Sequence, residues 1–216
     1  MFDGTGWRTI DLTLPVYHGM RGVEIHPHTG LENDGYNTTN LMLYSHSGTH
    51  MDAPLHFLAG GDTIENTPLQ KCVGTAVTIN LTHKPPNSLI AIADLQPYAN
   101  KIGLGSRLLL RTDWDLYADK SDYRTSFPRI SLELAEWLGE RGIWLLGLES
   151  PSVASLQDRE ELTAVHQALL RHDIVIVESL ANLRQLPDEV ILIALPLKIQ
   201  GGDGSPVRAM ALVRDE

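Results

Sequence analysis

Residues 46–56 read HSGTHMDAPLH, and this stretch carries most of the chemical information in the chain. It contains four side chains that bind metals or transfer protons, at even-numbered positions: His46, His50, Asp52 and His56. Side chains alternate between two faces in an extended segment, so an extended conformation would place all four on one face. Pro54 argues against a helix through the middle of the stretch. If the stretch is extended, it therefore has a single reactive face, and we expect Pro54 to turn the chain after Asp52.

Two imidazoles and a carboxylate are the ligands that zinc, manganese and ferrous iron prefer at sites with open positions. The alternative is that each histidine is an ordinary hydrogen-bonded residue, which is the common case for a lone histidine. Three histidines and an aspartate around Gly48 and Pro54 favour a shared site. We predict that His46, His50 and Asp52 bind zinc or manganese and that His56 is the catalytic base.

Composition excludes several classes of function. The 216-residue chain carries a net charge of -10, which disfavours nucleic acids as partners. Its longest apolar run, residues 190–197, has the length of a strand and is too short to span a membrane. The only cysteine, Cys72, rules out an internal disulfide and predicts a reducing, cytoplasmic location. We therefore expect neither a nucleic acid nor a membrane as partner, and we predict a small-molecule substrate from the candidate site.

The pattern of apolar residues predicts a mixed α/β fold in one domain, residues 1–216. The first third is β-rich, with strands predicted over 9–14, 39–44 and 73–81. Helices are then predicted over 131–141 and 158–171, between strands over 108–112, 143–148, 174–177 and 190–197. The best candidate linker, residues 82–88, reads as a loop and not as a domain boundary. We expect a mixed sheet covered by helices.

Two more polar residues lie where the predicted helix and strand are apolar. His166 shares a helical stripe with Leu162, Val165 and Leu169, and therefore faces inward. A hydrogen-bonded core histidine is the alternative interpretation. Glu178 ends a buried strand, where a carboxylate is costly unless it is paired or binds a cation. We predict that the two residues meet at the end of the sheet and complete a second metal position.

Three aromatic residues lie near these motifs in the sequence: Tyr17, Phe57 and Trp114. Each is a candidate for lining an aromatic substrate pocket, although ordinary core packing is the commoner explanation for any one of them singly.

The whole set of motifs resembles the cyclase family of metal-dependent hydrolases, which includes bacterial kynurenine formamidases and isatin hydrolases. Residues 46–56 match its H-x-G-T-H-x-D-x-P-x-H signature, and the sequence RTDW at 111–114 resembles its R-T-x-W motif. The segment GLESPSV at 147–153 resembles its G-x-D-x-P-S-V motif, with Glu149 in place of aspartate. Residues 17–19, Tyr-His-Gly, replace a Trp-Pro-Gly-Asp-like stretch of the formamidases.

The resemblance implies a swivelling β/β/α fold, usually in a homodimer. It implies a first metal at His46, His50 and Asp52, with Asp52 bridging to a second metal at His166 and Glu178. His56 would be the base or acid, and the isatin hydrolases imply a single metal instead of two. The implied reaction is hydrolysis of a formamide or lactam C–N bond by activated water.

Four alternatives remain open at the level of sequence. The protein could be a kynurenine formamidase proper, which converts N-formylkynurenine to kynurenine and formate. It could also be a lactone hydrolase, or a non-hydrolytic iron or manganese enzyme with the same ligands. A structural metal in a protein without enzymatic activity is less compatible with the sequence, because structural zinc sites are usually closed and rich in cysteine.

Overall fold

The computed structural model describes residues 6–214, which form strands and short helices around one closed sheet. The strands are β1 (Trp7–Asp11), β2 (Val23–Thr29), β3 (Thr38–Leu43), β4 (His50–Asp52), β5 (Val73–Asn80), β6 (Leu89–Ile90), β7 (Arg107–Arg111), β8 (Arg129–Ile130), β9 (Leu145–Leu148), β10 (Val175–Glu178), β11 (Glu189–Pro196) and β12 (Gly204–Arg214). The α-helices are α1 (Leu31–Asp34), α2 (Leu69–Cys72), α3 (Ile92–Leu95), α4 (Leu132–Arg141) and α5 (Arg159–Leu170).

The main sheet closes because β12 is long enough to pair with two strands along one edge. The order is β12-β11-β5-β7-β9-β10-β4, and β4 then pairs again with β12. Gly204 to Pro206 pair with β4, whereas residues from Met210 onward pair with β1 on the same edge. The short strand β4 thus lies between β10 and β12 and completes the closed sheet.

The apolar residues of the parallel strands explain why helices cover the outside of the sheet. Strands β9 and β10 are buried along their whole length, as expected for parallel strands covered on both faces. On the outer face, Ile176 packs with Leu134 of α4 and with Val165 of α5. Inside the closed sheet, Val177 packs in a second core with Met51. Alternate residues of β10 therefore face the helices and the interior.

Most of the predicted elements are confirmed, with ends that differ by a few residues. Helix α4 begins after Ser131, whose hydroxyl accepts from the Leu134 amide, and ends at Gly142 with a φ of 69°. Helix α5 begins after Asp158, whose carboxylate accepts from two backbone amides. Strand β2 was not expected, because most of its residues are exposed and its sequence, VEIHPHT, does not alternate clearly.

Residues 46–56 are not extended throughout, so the condition for simple alternation is not met, whereas the turn expected at Pro54 is present. Only His50–Asp52 forms a strand, while His46 lies in a turn and Pro54–His56 form a 3-10 helix. Gly48 has a φ of 58°, which is incompatible with a continuous strand and favours glycine. Pro54 occupies the first position of the 3-10 helix, where its fixed φ is tolerated. The four reactive side chains must therefore converge through a turn and not through simple alternation.

Strands β2 and β3 form a separate hairpin that pairs with no other strand among residues 6–214. This hairpin arm, residues 23–43, exposes several large apolar side chains: Leu31, Tyr36, Leu41 and Met42. None of the helices formed by the described residues is long and apolar enough to cross a membrane.

Candidate metal centre

Strand pairing brings three candidate ligands onto the outer face of the sheet. His50 and Asp52 lie on the same face of β4, and both side chains are buried. Glu178 is the cross-strand partner of His50 in the antiparallel pair of β4 and β10, so their side chains share that face. The His50 Nε2 lies 3.2 Å from the Glu178 Oε2.

Helix α5 covers this face and contributes His166. The predicted inward orientation is confirmed, since His166 is buried and packs beside the same strands. Its Nε2 lies 3.5 Å from the Glu178 Oε1 and 3.6 Å from the Asp52 Oδ2. The helix and the following strand thus meet at the end of the sheet, as the sequence predicted.

Backbone hydrogen bonds set the ring orientation of both buried histidines. The His50 Nδ1 lies 2.8 Å from the Gly48 carbonyl oxygen, and the His166 Nδ1 lies 2.7 Å from that of Leu162. When Nδ1–H donates to a carbonyl, the lone pair of the neutral imidazole is on Nε2. Metal-ligating histidines are usually held in this way. His50 and His166 therefore direct their Nε2 atoms toward the two carboxylates.

Asp52 is the centre of the cluster. Its Oδ2 is buried and accepts no hydrogen bond from the described residues, which is costly for a carboxylate without a cation. The donor atoms form two groups that share Asp52, each within 4.8 Å: His46 with His56, and His50 with Glu178. The grouping differs from that implied by the family resemblance, in which His46 joins His50. A carboxylate common to two donor groups fits one or two divalent cations.

His46 reaches the cluster from the turn before β4. Its Nδ1 lies 2.9 Å from the Asp52 Oδ1, and its Nε2 lies 3.0 Å from the Asp203 Oδ2. Burial by itself lowers the pKa of His46, but these two carboxylates outweigh it and raise the pKa to about 9. Gly204 makes room for the ring, because a Cβ there would lie 2.7 Å from the His46 Cε1.

His56 belongs to the donor group of His46 and Asp52 and is the most exposed histidine of the cluster, with a quarter of its side chain accessible. Its ring stacks on that of His46 with the centroids 3.9 Å apart, and its Nδ1 lies 3.5 Å from the Asp203 Oδ2. Burial lowers the pKa of His56, as do the neighbouring His46 and His166. The imidazole is therefore neutral at neutral pH and able to accept a proton.

Asp203 is a member of the cluster that was not predicted as a site residue. It contacts both His46 and His56 from the turn before β12. The sequence offered only a weak signal, a carboxylate after Gly201 and Gly202, since the contact joins residues 157 positions apart.

Glu178 is held as a carboxylate although it is buried. Burial alone raises its pKa, but the bonds to His166 and His50 outweigh this and hold the pKa below its usual range. The Val153 amide also donates to the Glu178 Oε1 at 2.8 Å. The anionic form is thus stabilised at the end of β10, where a cation would be bound.

Glu149 lies in a different environment from the metal donors. Its Oε2 accepts from the amides of Thr112 and Trp114. Burial and the nearby Asp115 raise the pKa of Glu149 to about 8. The longer side chain that replaces the family's aspartate therefore holds the 112–114 segment and belongs to neither donor group.

Two cavities meet at the cluster. The larger, of about 330 Å³, is lined by Tyr17, and the smaller, of about 190 Å³, is lined by Phe57. The Phe57 ring also stacks on His166 at 4.2 Å. Trp114, the third predicted pocket residue, lines neither cavity, because it is buried and its indole N–H donates to the Tyr123 carbonyl. His46 and His50 line both cavities, so both open onto the donor groups.

Known proteins resemble this chain in sequence. Kynurenine formamidase from Bacillus mycoides (strain KBAB4) is 34% identical over 180 residues, which cover 83% of this chain and 82% of that protein. Kynurenine formamidase from Bacillus cytotoxicus is also 34% identical, over 179 residues, 83% of this chain and 81% of that protein.

The solved structures that resemble this one include isatin hydrolases. One, bound to the product analogue thioisatinate, superposes with a TM-score of 0.83 at 27% identity, over 99% of this chain and 95% of that chain. Isatin hydrolase A from Ralstonia solanacearum has a TM-score of 0.82 at 26% identity, over 96% and 92% of the two chains. The profile of the Cyclase family matches residues 10–155. This chain therefore belongs to the Cyclase family.

Proposed function

We propose that this metal-dependent hydrolase cleaves the amide C–N bond of a small, aromatic formamide or lactam. The observation that carries the proposal is that the buried carboxylate of Asp52 belongs to both groups of metal donors. One of its oxygens accepts no hydrogen bond from the described residues. The similar proteins are named for a formamidase and an isatin hydrolase, and both act on C–N bonds other than peptide bonds.

The ligands that we propose are the five buried or nearly buried donors: His46, His50, Asp52, His166 and Glu178. Nitrogen and carboxylate oxygen donors without cysteine suit zinc or manganese, and the shared carboxylate allows one or two ions per chain. When bound, the metal supplies Lewis acidity, which polarises a carbonyl oxygen and acidifies water.

The chain's own residues supply proton transfer and orientation. His56 is the proposed base, because it is the most exposed member of its donor group and its neutral imidazole borders the smaller cavity. It would take a proton from water and return it to the leaving nitrogen. Asp203 contacts the His56 Nδ1, so it orients the ring and stabilises the imidazolium that forms. Tyr17 and Phe57 are proposed to contact the substrate from the two cavities.

Metal analysis joined to a substrate panel tests this function. Protein purified without chelator is expected to contain zinc or manganese and to hydrolyse formanilide or isatin. A chelator should abolish this hydrolysis, and added metal should restore it. Activity should be equal with and without oxygen, because hydrolysis needs no oxidant. Turnover of a lactone alone, turnover that requires oxygen, or turnover after complete metal removal would contradict the proposal.

A second candidate is the specific activity of a kynurenine formamidase, favoured by the 34% identity to the Bacillus enzymes over most of both chains. It requires release of formate from N-formylkynurenine. If that substrate is hydrolysed no faster than formanilide, the specific assignment fails and the general one stands.

We further propose a homodimer formed through the hairpin arm. The arm exposes Leu41 and Met42, each more than half accessible, on a two-stranded sheet separate from the main one. Two-stranded hairpins are marginal alone, and large apolar side chains exposed on one favour an interface. Sedimentation at micromolar concentration is expected to give twice the chain mass, and Leu41→Lys combined with Met42→Lys to give monomers. A monomeric unmodified protein would refute the dimer, and dimers in the double variant would place the interface elsewhere.

The remaining proposals concern domain organisation and location. One domain is supported by a sheet that joins β1 to β12, from opposite ends of the chain. A cytoplasmic location is supported by Cys72, which is a buried free thiol.

A further inference from the structure

We propose that the substrate carries a carboxylate and that Arg124 and Arg21 bind it in the cleft beside the metal centre. The inference deepens the proposed hydrolase function, on which it rests, by naming the charge of the substrate. It depends on where these two side chains lie and on the lack of an anionic partner for Arg124 among residues 6–214.

The backbone at Arg124 is anchored to the metal-centre strand. The neighbouring Tyr123 is buried, and its hydroxyl lies 3.1 Å from the Glu149 carbonyl oxygen and 3.0 Å from the Ser179 Oγ. Ser179 directly follows Glu178, so these bonds fix residues 123 and 124 against the end of β10. Arg124 is partly buried there and lines both cavities.

Arg124 has no anionic partner. Across residues 6–214, no ion pair or hydrogen bond is made by its guanidinium. Other partly buried arginines are satisfied: Arg129 donates to Glu161 at 2.6 Å, and Arg111 donates to Asp113 at 2.7 Å. Burial lowers the pKa of Arg124, and the nearby Arg21 lowers it further. A partly buried cation without a partner is unfavourable unless an anion binds to it.

Arg21 brings a second guanidinium to the same cleft. It lines both cavities together with Arg124, and it lies over the Tyr44 ring at 5.1 Å from the centroid. Two like charges side by side repel each other, and a carboxylate between them would convert repulsion into charge-assisted hydrogen bonds. In a chain with a net charge of -10, such a local cluster of cations also attracts anions selectively.

The competing explanation is that Arg124 only balances the charge of the metal-centre carboxylates. Glu178 does contribute a favourable electrostatic interaction with Arg124. However, Glu178 is already paired with His50 at 3.2 Å and with His166 at 3.5 Å, and it forms no ion pair with Arg124. The two explanations differ in a measurable way, because charge balance predicts that loss of Arg124 weakens metal retention.

Calorimetry on the metal-loaded protein tests the binding step. Benzoate is the anionic probe and benzamide is its neutral control of similar shape. We expect Arg124→Gln and Arg21→Gln each to weaken benzoate binding about tenfold or more, the size of a lost charge-assisted hydrogen bond. Arg124→Lys should recover part of the affinity. Arg8→Gln removes the same charge from an exposed strand residue that lines neither of these cavities, and should change nothing.

Substrate pairs test the same charge during turnover. The 2-, 3- and 4-formamidobenzoates differ from formanilide only by a carboxylate. At least one is expected to exceed formanilide in kcat/KM by tenfold or more, and Arg124→Gln should abolish that advantage mainly through KM. In Arg124→Gln the loss of kcat/KM for that formamidobenzoate should exceed any loss for formanilide by tenfold or more, whereas Arg8→Gln should leave both values unchanged.

The outcomes separate this inference from the proposed function. If no amide is hydrolysed but benzoate binding still depends on Arg124, the function fails and the anion site stands. If the kcat/KM for formanilide equals that for the formamidobenzoates, and if benzoate binding is unchanged in both glutamine variants, the anion site is refuted. Loss of metal from Arg124→Gln would also refute it, in favour of charge balance. Arg21→Gln, at an exposed position, keeps the test valid if Arg124→Gln does not fold.

Discussion

The His56→Ala variant is expected to keep its metal and its fold and to lose about 10²–10⁴-fold in kcat. The reason is that His56 stands at the accessible side of the cluster, while the more deeply buried donors remain in place. Three measurements check this: kcat with formanilide or isatin, metal content by elemental analysis, and the fold by circular dichroism. Because the neutral imidazole is the base and burial lowers the pKa of His56, the activity of the unmodified protein should fall only when the pH drops below the ordinary pKa of histidine.

His83→Ala is the matched control for this variant. His83 is exposed and pairs with Asp94 on the surface, so its removal should leave kcat and metal content unchanged. Loss of metal from His56→Ala would make His56 a ligand, which its membership of the donor group with His46 and Asp52 allows. Full activity in His56→Ala would assign the base elsewhere, with Asp203 as the next candidate.

The Asp52→Asn variant is expected to bind metal with an affinity lowered by about 10²-fold or more, and to lose activity together with the metal. Asparagine has nearly the same shape, so the change isolates the charge of a carboxylate that both donor groups share. Replacement of a residue that only supports a ligand already costs about 10–100-fold, and Asp52 is proposed as the ligand itself. Metal titration followed by elemental analysis gives the affinity and the stoichiometry.

Two variants calibrate the effect of Asp52→Asn. His50→Ala removes one donor from one group and should reduce metal occupancy about tenfold or more. Asp203 forms ion pairs with His46 and His56 but with neither His50 nor Glu178, so in Asp203→Asn the group of His50, Asp52 and Glu178 should keep its ion. An unchanged metal stoichiometry in Asp52→Asn would refute the shared carboxylate as a ligand.

The candidate site could be predicted from the sequence because its residues lie at short separations along the chain. His46, His50, Asp52 and His56 lie within eleven residues, and local geometry alone keeps them close. The same is true of His166 and Glu178, because a helix that leads directly into a buried strand leaves few places for either residue. Apolar periodicity likewise predicted α4 and α5, whose buried faces pack against the sheet.

Tertiary structure alone decided how these residues converge. The pairing of β4 with both β10 and β12 closes the sheet, brings Glu178 opposite His50, and adds Asp203 from the turn before β12. Among residues 6–214, Arg124 forms no ion pair, and Trp114 lies outside the cleft, because the placement of distant segments determines both. Such contacts join residues dozens to more than a hundred positions apart, and strand register, not local propensity, determines them. Sequence periodicity describes one segment at a time and contains no information about which distant segment lies beside it.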